Sequence, residues 1–228
     1  MKTRFLLIIS GVIALIGITS AIVWRQSGDR PLQRAITGNA ELLKLFSEAK
    51  TAEAEIAADP EKVRRYFDAG LAWKSIGELA TTTSPLPYFR RSLAVYEKGI
   101  VKYGEQNILF YLNAAKLAER LEDFSKAERY FRKAIEISPA DESSYLALAE
   151  MLDYRLHRPK EQVVAVLNSG LNKMLNPTPL IIARAEYLRR RGFYAEALSD
   201  YRTLTANFPR YVGYQQIIKE LEEILKSK

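Results

Sequence analysis

The chain has 228 residues, 48% of them hydrophobic, and carries 34 Lys and Arg against 27 Asp and Glu, a net charge of +7. That is length enough for one domain and a tail. With no cysteine and a single histidine, disulfides, thiolate metal sites and Cys–His or paired-His centres are excluded.

In chain order, the first feature is a run of twenty uncharged residues from Phe5 to Trp24. At about 1.5 Å per residue it spans the roughly 30 Å hydrocarbon core of a bilayer. Lys2 and Arg4 precede it, Arg25 follows it, and Trp24 suits an interface. The competing reading is a cleaved signal peptide with Thr19 and Ala21 at its site. That apolar core is long for a signal peptide, and cleavage would leave Ile22-Val23-Trp24 at the new terminus. Residues 1–25 are therefore read as a retained single-pass transmembrane anchor. Flanking charge nearly balances, and the short N-terminal tail places the remainder outside the cytoplasm, at a bacterial inner membrane. Residues 26–38, with Gly28, Pro31 and Gly38 and little apolar content, read as a linker.

Asn39 caps a helix reaching about Ala58, with Leu42, Leu43, Phe46, Ala49 and Ile56 along one stripe, and Pro60 ends it. Tyr66, Ala69, Gly70 and Trp73 then mark a helix that runs through Leu79. Thr81 to Pro87 forms a long loop, and the partner helix runs from about Pro87 to Tyr103. The next stretch, Ile108 to Asp141, is the clearest. Tyr111, Ala114, Ala115, Ala118 and Leu121 share one helical face. Ser125 with Glu128 reads as a capping box opening a second helix, whose face carries Phe124, Ala127, Phe131, Ala134 and Ile135 before Pro139. Aromatic, small–small, Ala, aromatic, Ala and Pro in this order resemble the tetratricopeptide repeat, a 34-residue helix–turn–helix. Phe124, Ala127, Phe131 and Pro139 recur 70 residues later as Tyr194, Ala197, Tyr201 and Pro209. Shifted back by 35, the pattern falls on Phe89, Ser92, Tyr96 and Gly99.

The expected fold is thus all-α: a TPR-like α-solenoid of antiparallel helix pairs over residues 39–228. Its repeats fall at about 61–104, 108–141, 142–177 and 178–211. In the third, Asp141 caps a helix with Tyr145, Leu148, Ala149 and Leu152, and the second helix uses Val163, Val164, Leu167, Gly170 and Leu171. Thr178 and Pro179 cap the fourth. A terminal helix over 212–228, with Ile217, Ile218, Leu221, Ile224 and Leu225 on one side, hides the open end.

Chemistry is scarce. His157 stands in a turn beside Arg158 and Pro159, no glycine-rich phosphate loop exists, and the carboxylates fall at helix faces and caps. No catalytic, cofactor or metal site is expected, and no enzyme. The resemblance implies instead a scaffold whose first helices line a concave groove for a protein or peptide partner. On this chain that face comprises Phe67, Leu71 and Lys74; Leu109, Leu112, Asn113 and Lys116; Leu146, Glu150 and Asp153; and Ile182, Glu186 and Arg189. Some members of the family grip a terminal carboxylate with Lys and Asn of successive repeats. Asn113 occupies such a place, but Phe67, Leu71, Ser143 and Ala147 supply none of the other groups. The alternative function is a basic surface on anionic lipid or nucleic acid, through Arg90-Arg91, Lys126, Arg129, Arg132-Lys133 and Arg189-Arg190-Arg191. Interleaved acids and the lack of a nucleic-acid motif weigh against it.

Overall fold

The computed structural model describes residues 29–227. The anchor expected over Phe5–Trp24 lies outside them, and no helix among the described residues is long and apolar enough to cross a membrane. Ten helices follow from Ala40: α1 Ala40–Ala58, α2 Val63–Leu79, α3 Leu86–Tyr103, α4 Leu109–Arg120, α5 Phe124–Ile137, α6 Glu142–Tyr154, α7 Lys160–Leu171, α8 Thr178–Arg190, α9 Tyr194–Asn207 and α10 Val212–Lys226. Among the described residues there is no strand. The chain divides into two compact units, the first ending at Lys98 and the second starting at Gly99.

In the first unit, α1 packs along α2. Asn39 caps α1 by accepting a hydrogen bond from the Leu42 amide at 3.1 Å. Phe46 meets Trp73 edge-on at 5.2 Å, and Trp73 stacks on Tyr88 at 6.4 Å. The expected linker needs correction over its described part. Residues 29–35 are helical, Ile36 is buried, and Gly38 turns the chain at φ 104°. Tyr88 of α3 donates its hydroxyl to the Leu32 carbonyl at 2.8 Å. Asp29 accepts from Lys50 at 2.6 Å, and Arg91 lies 3.3 Å from it. Glu53, itself buried, joins the same cations at 3.1 and 3.2 Å and accepts from the Trp73 indole N–H at 3.0 Å. Composition could not reveal this, because the segment has no apolar stripe. Its partners are a charge 21 residues away and another 62 residues away.

In the second unit the helices pair as α4 with α5, α6 with α7, and α8 with α9, and α10 covers α9. Ala127 and Ala197 are wholly buried, as two close helix axes require, with Phe131 and Tyr201 buried beside them. In α7, Val163 stands at the Ala127 position and Gly170 at that of the buried Ala134. A Cβ on Gly170 would lie 2.9 Å from the Tyr145 ring and 2.6 Å from a Leu180 methyl, so only glycine fits. One local device recurs at the starts of α2, α6 and α10, each of which follows a proline. Tyr66, Tyr145 and Gln215 each donate to a proline carbonyl six residues back, at 3.3, 3.0 and 3.1 Å.

The turn between paired helices also repeats. Asp123 N–H reaches back to the Ala118 carbonyl, and Phe193 N–H to that of Leu188, both at 2.9 Å. Glu122 at φ 61° and Gly192 at φ 80° hold the left-handed residue that such a helix end requires. This turn corrects the expected capping box. Asp123, released from α4, accepts from the Lys126 amide at 3.1 Å and starts α5 at Phe124, so Ser125 already lies inside the helix. Asp141 caps α6 as expected, accepting from Ser144 at 2.9 Å. At α8 the capping oxygen is that of Asn176, which accepts from the Thr178 amide at 3.3 Å and hydroxyl at 2.7 Å. Thr178 is therefore the first helical residue rather than the cap.

Candidate functional site: a docking face on the first helices

The residues expected to line a groove fall in both units and have different fates. In the first unit Leu71 is exposed, Phe67 lies against the Tyr96 ring at 6.1 Å, and Lys74 pairs with Glu78 at 3.6 Å. In the second unit the face is carried by α4, α6 and α8, of which α6 and α8 touch. Leu109 is half exposed, and Lys116, Glu150, Glu186 and Arg189 are exposed. Leu112 is buried in the core, so it packs helices together rather than facing a partner. Asn113 turns its amide onto the Leu109 carbonyl at 2.8 Å, which leaves its second N–H and its Oδ1 without a hydrogen bond from that contact. Leu146 and Ile182 are half-buried against the core.

Asp153 departs furthest from expectation. It is only 2% exposed. Arg190 and Arg191 both hold its carboxylate, Arg191 donating from Nε at 2.8 Å. This hydrogen bond, and then the charge itself, raises Arg191 above the ordinary arginine value. The Arg190 guanidinium also stands over the Tyr154 ring, 4.6 Å from its centre. Asp153 is therefore an internal fastener between successive repeats, not a groove contact. The same near-repeat spacing recurs in Arg155 to Glu119 at 2.8 Å and Lys160 to Glu196 at 2.7 Å, each 36 residues apart.

Between α6, α7 and α8 lies a pocket of about 210 Å³. It gathers Leu146, Glu150, Asp153 and Glu186 from the expected face. To these the structure adds Tyr154, Ala183, Tyr187 and Arg190, which helical period alone did not select. Their shared signal is spacing: Ala183, Glu186, Tyr187 and Arg190 recur at three and four along α8. The register there is one residue later than Ile182 and Arg189 implied. Arg189 faces an adjoining, open concavity with Tyr194, Glu220 and Ile224, which shares Glu186 and Arg190 with the first.

Most of the basic residues of the alternative lipid or nucleic-acid surface are engaged with acids. Lys126 pairs with Asp123 at 3.9 Å, Arg132 with Glu128 at 2.7 Å, and Lys133 with Glu136 at 3.3 Å. Arg91 is committed to Asp29 and Glu53, and Arg190 and Arg191 to Asp153. No cluster of His, Asp and Glu suited to a metal occurs among the described residues.

Residues 109–141 match the family model of the tetratricopeptide repeat. No curated protein matches the sequence. Among solved structures, a tetratricopeptide repeat protein from Parabacteroides merdae is 14% identical, with a TM-score of 0.56 over 85% of this chain and 73% of its own. Two crystal structures of MamA are also 14% identical. One has a TM-score of 0.51 over 79% of this chain and 90% of its own. The other has a TM-score of 0.52 over 79% and 84%. At such identity the likeness establishes the fold: an all-helical arrangement of tetratricopeptide type, with one matched repeat at its centre.

Proposed function

We propose that this chain is a non-enzymatic scaffold that binds a protein partner through the first-helix face of its second unit, and that Phe5–Trp24 tethers it to a membrane. The observation that carries the docking role is the set of side chains left outward on α4, α6 and α8. Leu109, Lys116, Glu150 and Glu186 stand exposed on helices whose opposite faces are wholly consumed by packing. Apolar contact there supplies affinity, and charges of both signs set register and association rate. The tether rests on the sequence, an uncharged run of bilayer length with basic flanks.

The test is a pair of double charge reversals in the membrane-solubilised full chain. Lys116→Glu with Glu150→Lys changes the docking face, and Lys126→Glu with Glu128→Lys changes a second helix. Exposed charge changes usually cost little stability, so the first variant melts close to wild type; the second also sets like charges beside Asp123 and Arg132 and melts slightly lower while remaining folded. Capture of the native neighbours weakens only for the first, and more at low salt than at high salt. Normal capture by the first variant with failure of the second places the binding surface on the other face.

A further inference from the structure

We propose that the pocket between α6 and α8 receives a lysine or arginine side chain of an extended partner segment. Its aliphatic stem would lie along Leu146, Ala149 and Ala183, and its charge between Glu150 and Glu186. This rests on the docking reading above and names the chemistry that the docking face selects.

Size comes first. At about 210 Å³ the pocket falls below the roughly 300–1,000 Å³ of small-molecule sites, and suits one long side chain. Charge decides which kind. The pocket is lined by the acids Glu150, Asp153 and Glu186 against the single cation Arg190. Asp153 is buried and satisfied by Arg190 and Arg191, so it offers nothing to a ligand. Asp153, Arg190 and Arg191 together keep one net positive charge, which the two carboxylates Glu150 and Glu186 outweigh, and Arg190 is further occupied by the Tyr154 ring. The nearby Arg155 is held by Glu119. What remains outward is Glu150 and Glu186, two exposed carboxylates with no ion pair among the described residues, on a chain whose net charge is +7. An acidic side chain entering here meets like charge. A purely apolar one covers the walls but strips water from two carboxylates and returns nothing to them. A cation with a long apolar stem satisfies walls and rim together.

The experiment is selection of a displayed library of random nonapeptides on the detergent-solubilised full chain at low salt. Winners are expected to carry Lys or Arg at one fixed position among apolar residues. Their affinity should fall about tenfold for Glu150→Gln with Glu186→Gln, a variant that melts as wild type. Replacing the peptide's cation by norleucine should then cost that variant little more. Selection on Glu150→Lys with Glu186→Lys should yield an acidic residue at the same position. Winners sensitive to Leu109→Ser, Lys116→Glu or Leu146→Ser but lacking a fixed cation sink this inference and leave the docking face standing. Winners indifferent to all those substitutions sink both, as does an empty selection.

Discussion

Glu122 holds a left-handed backbone conformation, φ 61°, at the turn where the later repeat has Gly192 at φ 80°. The two turns make the same reach-back hydrogen bond, so the helix end demands this conformation and the side chain at Glu122 merely tolerates it. Left-handed backbone costs an L-residue about 1–2 kcal/mol, and glycine escapes most of that at some cost in unfolded-chain entropy. Glu122→Gly should therefore stabilise by roughly 1 kcal/mol, or about 2–4 °C in a chain of this size. Gly192→Ala should lose a similar amount. Equal melting temperatures for Glu122→Gly and wild type would remove the strain argument. Ala127 and Ala197, wholly buried between helices, set the opposite kind of test. Leucine at either site overpacks the contact and should cost roughly 1–3 kcal/mol by thermal or urea unfolding. These alanines were legible in the sequence because small residues at fixed offsets are what close helix packing requires. Asp153 was not. Helical period puts it on the correct helix, but its burial depends on Arg190 and Arg191 one repeat later, which no local pattern encodes.

At the scale of elements, the same distinction separates what could be read from what could not. α1, α4, α5 and α10 follow from stripes and terminators within themselves. The helical stretch 29–35 follows from contacts with α1 and α3, and composition made it a linker. Ion pairs of Asp29 with Lys50 and Arg91 join the Tyr88 hydrogen bond and the burial of Ile36 in holding it to the first unit. Arg91 also stands over the Trp73 ring at 5.7 Å, a contact worth about 0.5–1 kcal/mol at an exposed site. Removing one partner from a buried charge group costs more, roughly 3–5 kcal/mol where burial is complete. Glu53 is 8% exposed but Arg91 is about one-third exposed, so the lower part of that range applies, discounted for solvent. Arg91→Met should therefore destabilise the first unit mainly through Asp29 and Glu53, not through the ring. Asp29→Asn with Tyr88→Phe removes the ties to residues 29–35 and leaves Glu53 with both its cations. Hydrogen exchange should then accelerate at residues 30–36 and stay unchanged in α5 and α8. Unaltered exchange at 30–36 would mean the ion pairs do not hold the segment.

For the whole molecule, the clamp that Lys50, Arg91 and Tyr88 put on residues 29–36 changes where a tether must end. If residues 26–38 were a free linker, any cut between Trp24 and Asn39 would release an equivalent soluble domain. Asp29, Leu32 and Ile36 instead belong to the fold, through Lys50 and Arg91, through Tyr88, and through burial. Full-length protein should stay with membranes through carbonate and high-salt washes, because burying twenty uncharged residues in lipid outweighs anything those washes weaken. A chain starting at Ser27 should appear in the soluble fraction with the melting temperature of the solubilised full-length protein. One starting at Asn39 should also be soluble but melt several degrees lower, having lost the Tyr88 hydrogen bond, the Ile36 burial and half the carboxylates that balance Lys50 and Arg91. Release of the full-length chain by carbonate, or a mature terminus near Ile22, would overturn the tether. Equal melting of the Ser27 and Asn39 chains would overturn the clamp, and would return residues 29–38 to the role of a spacer between membrane and repeats.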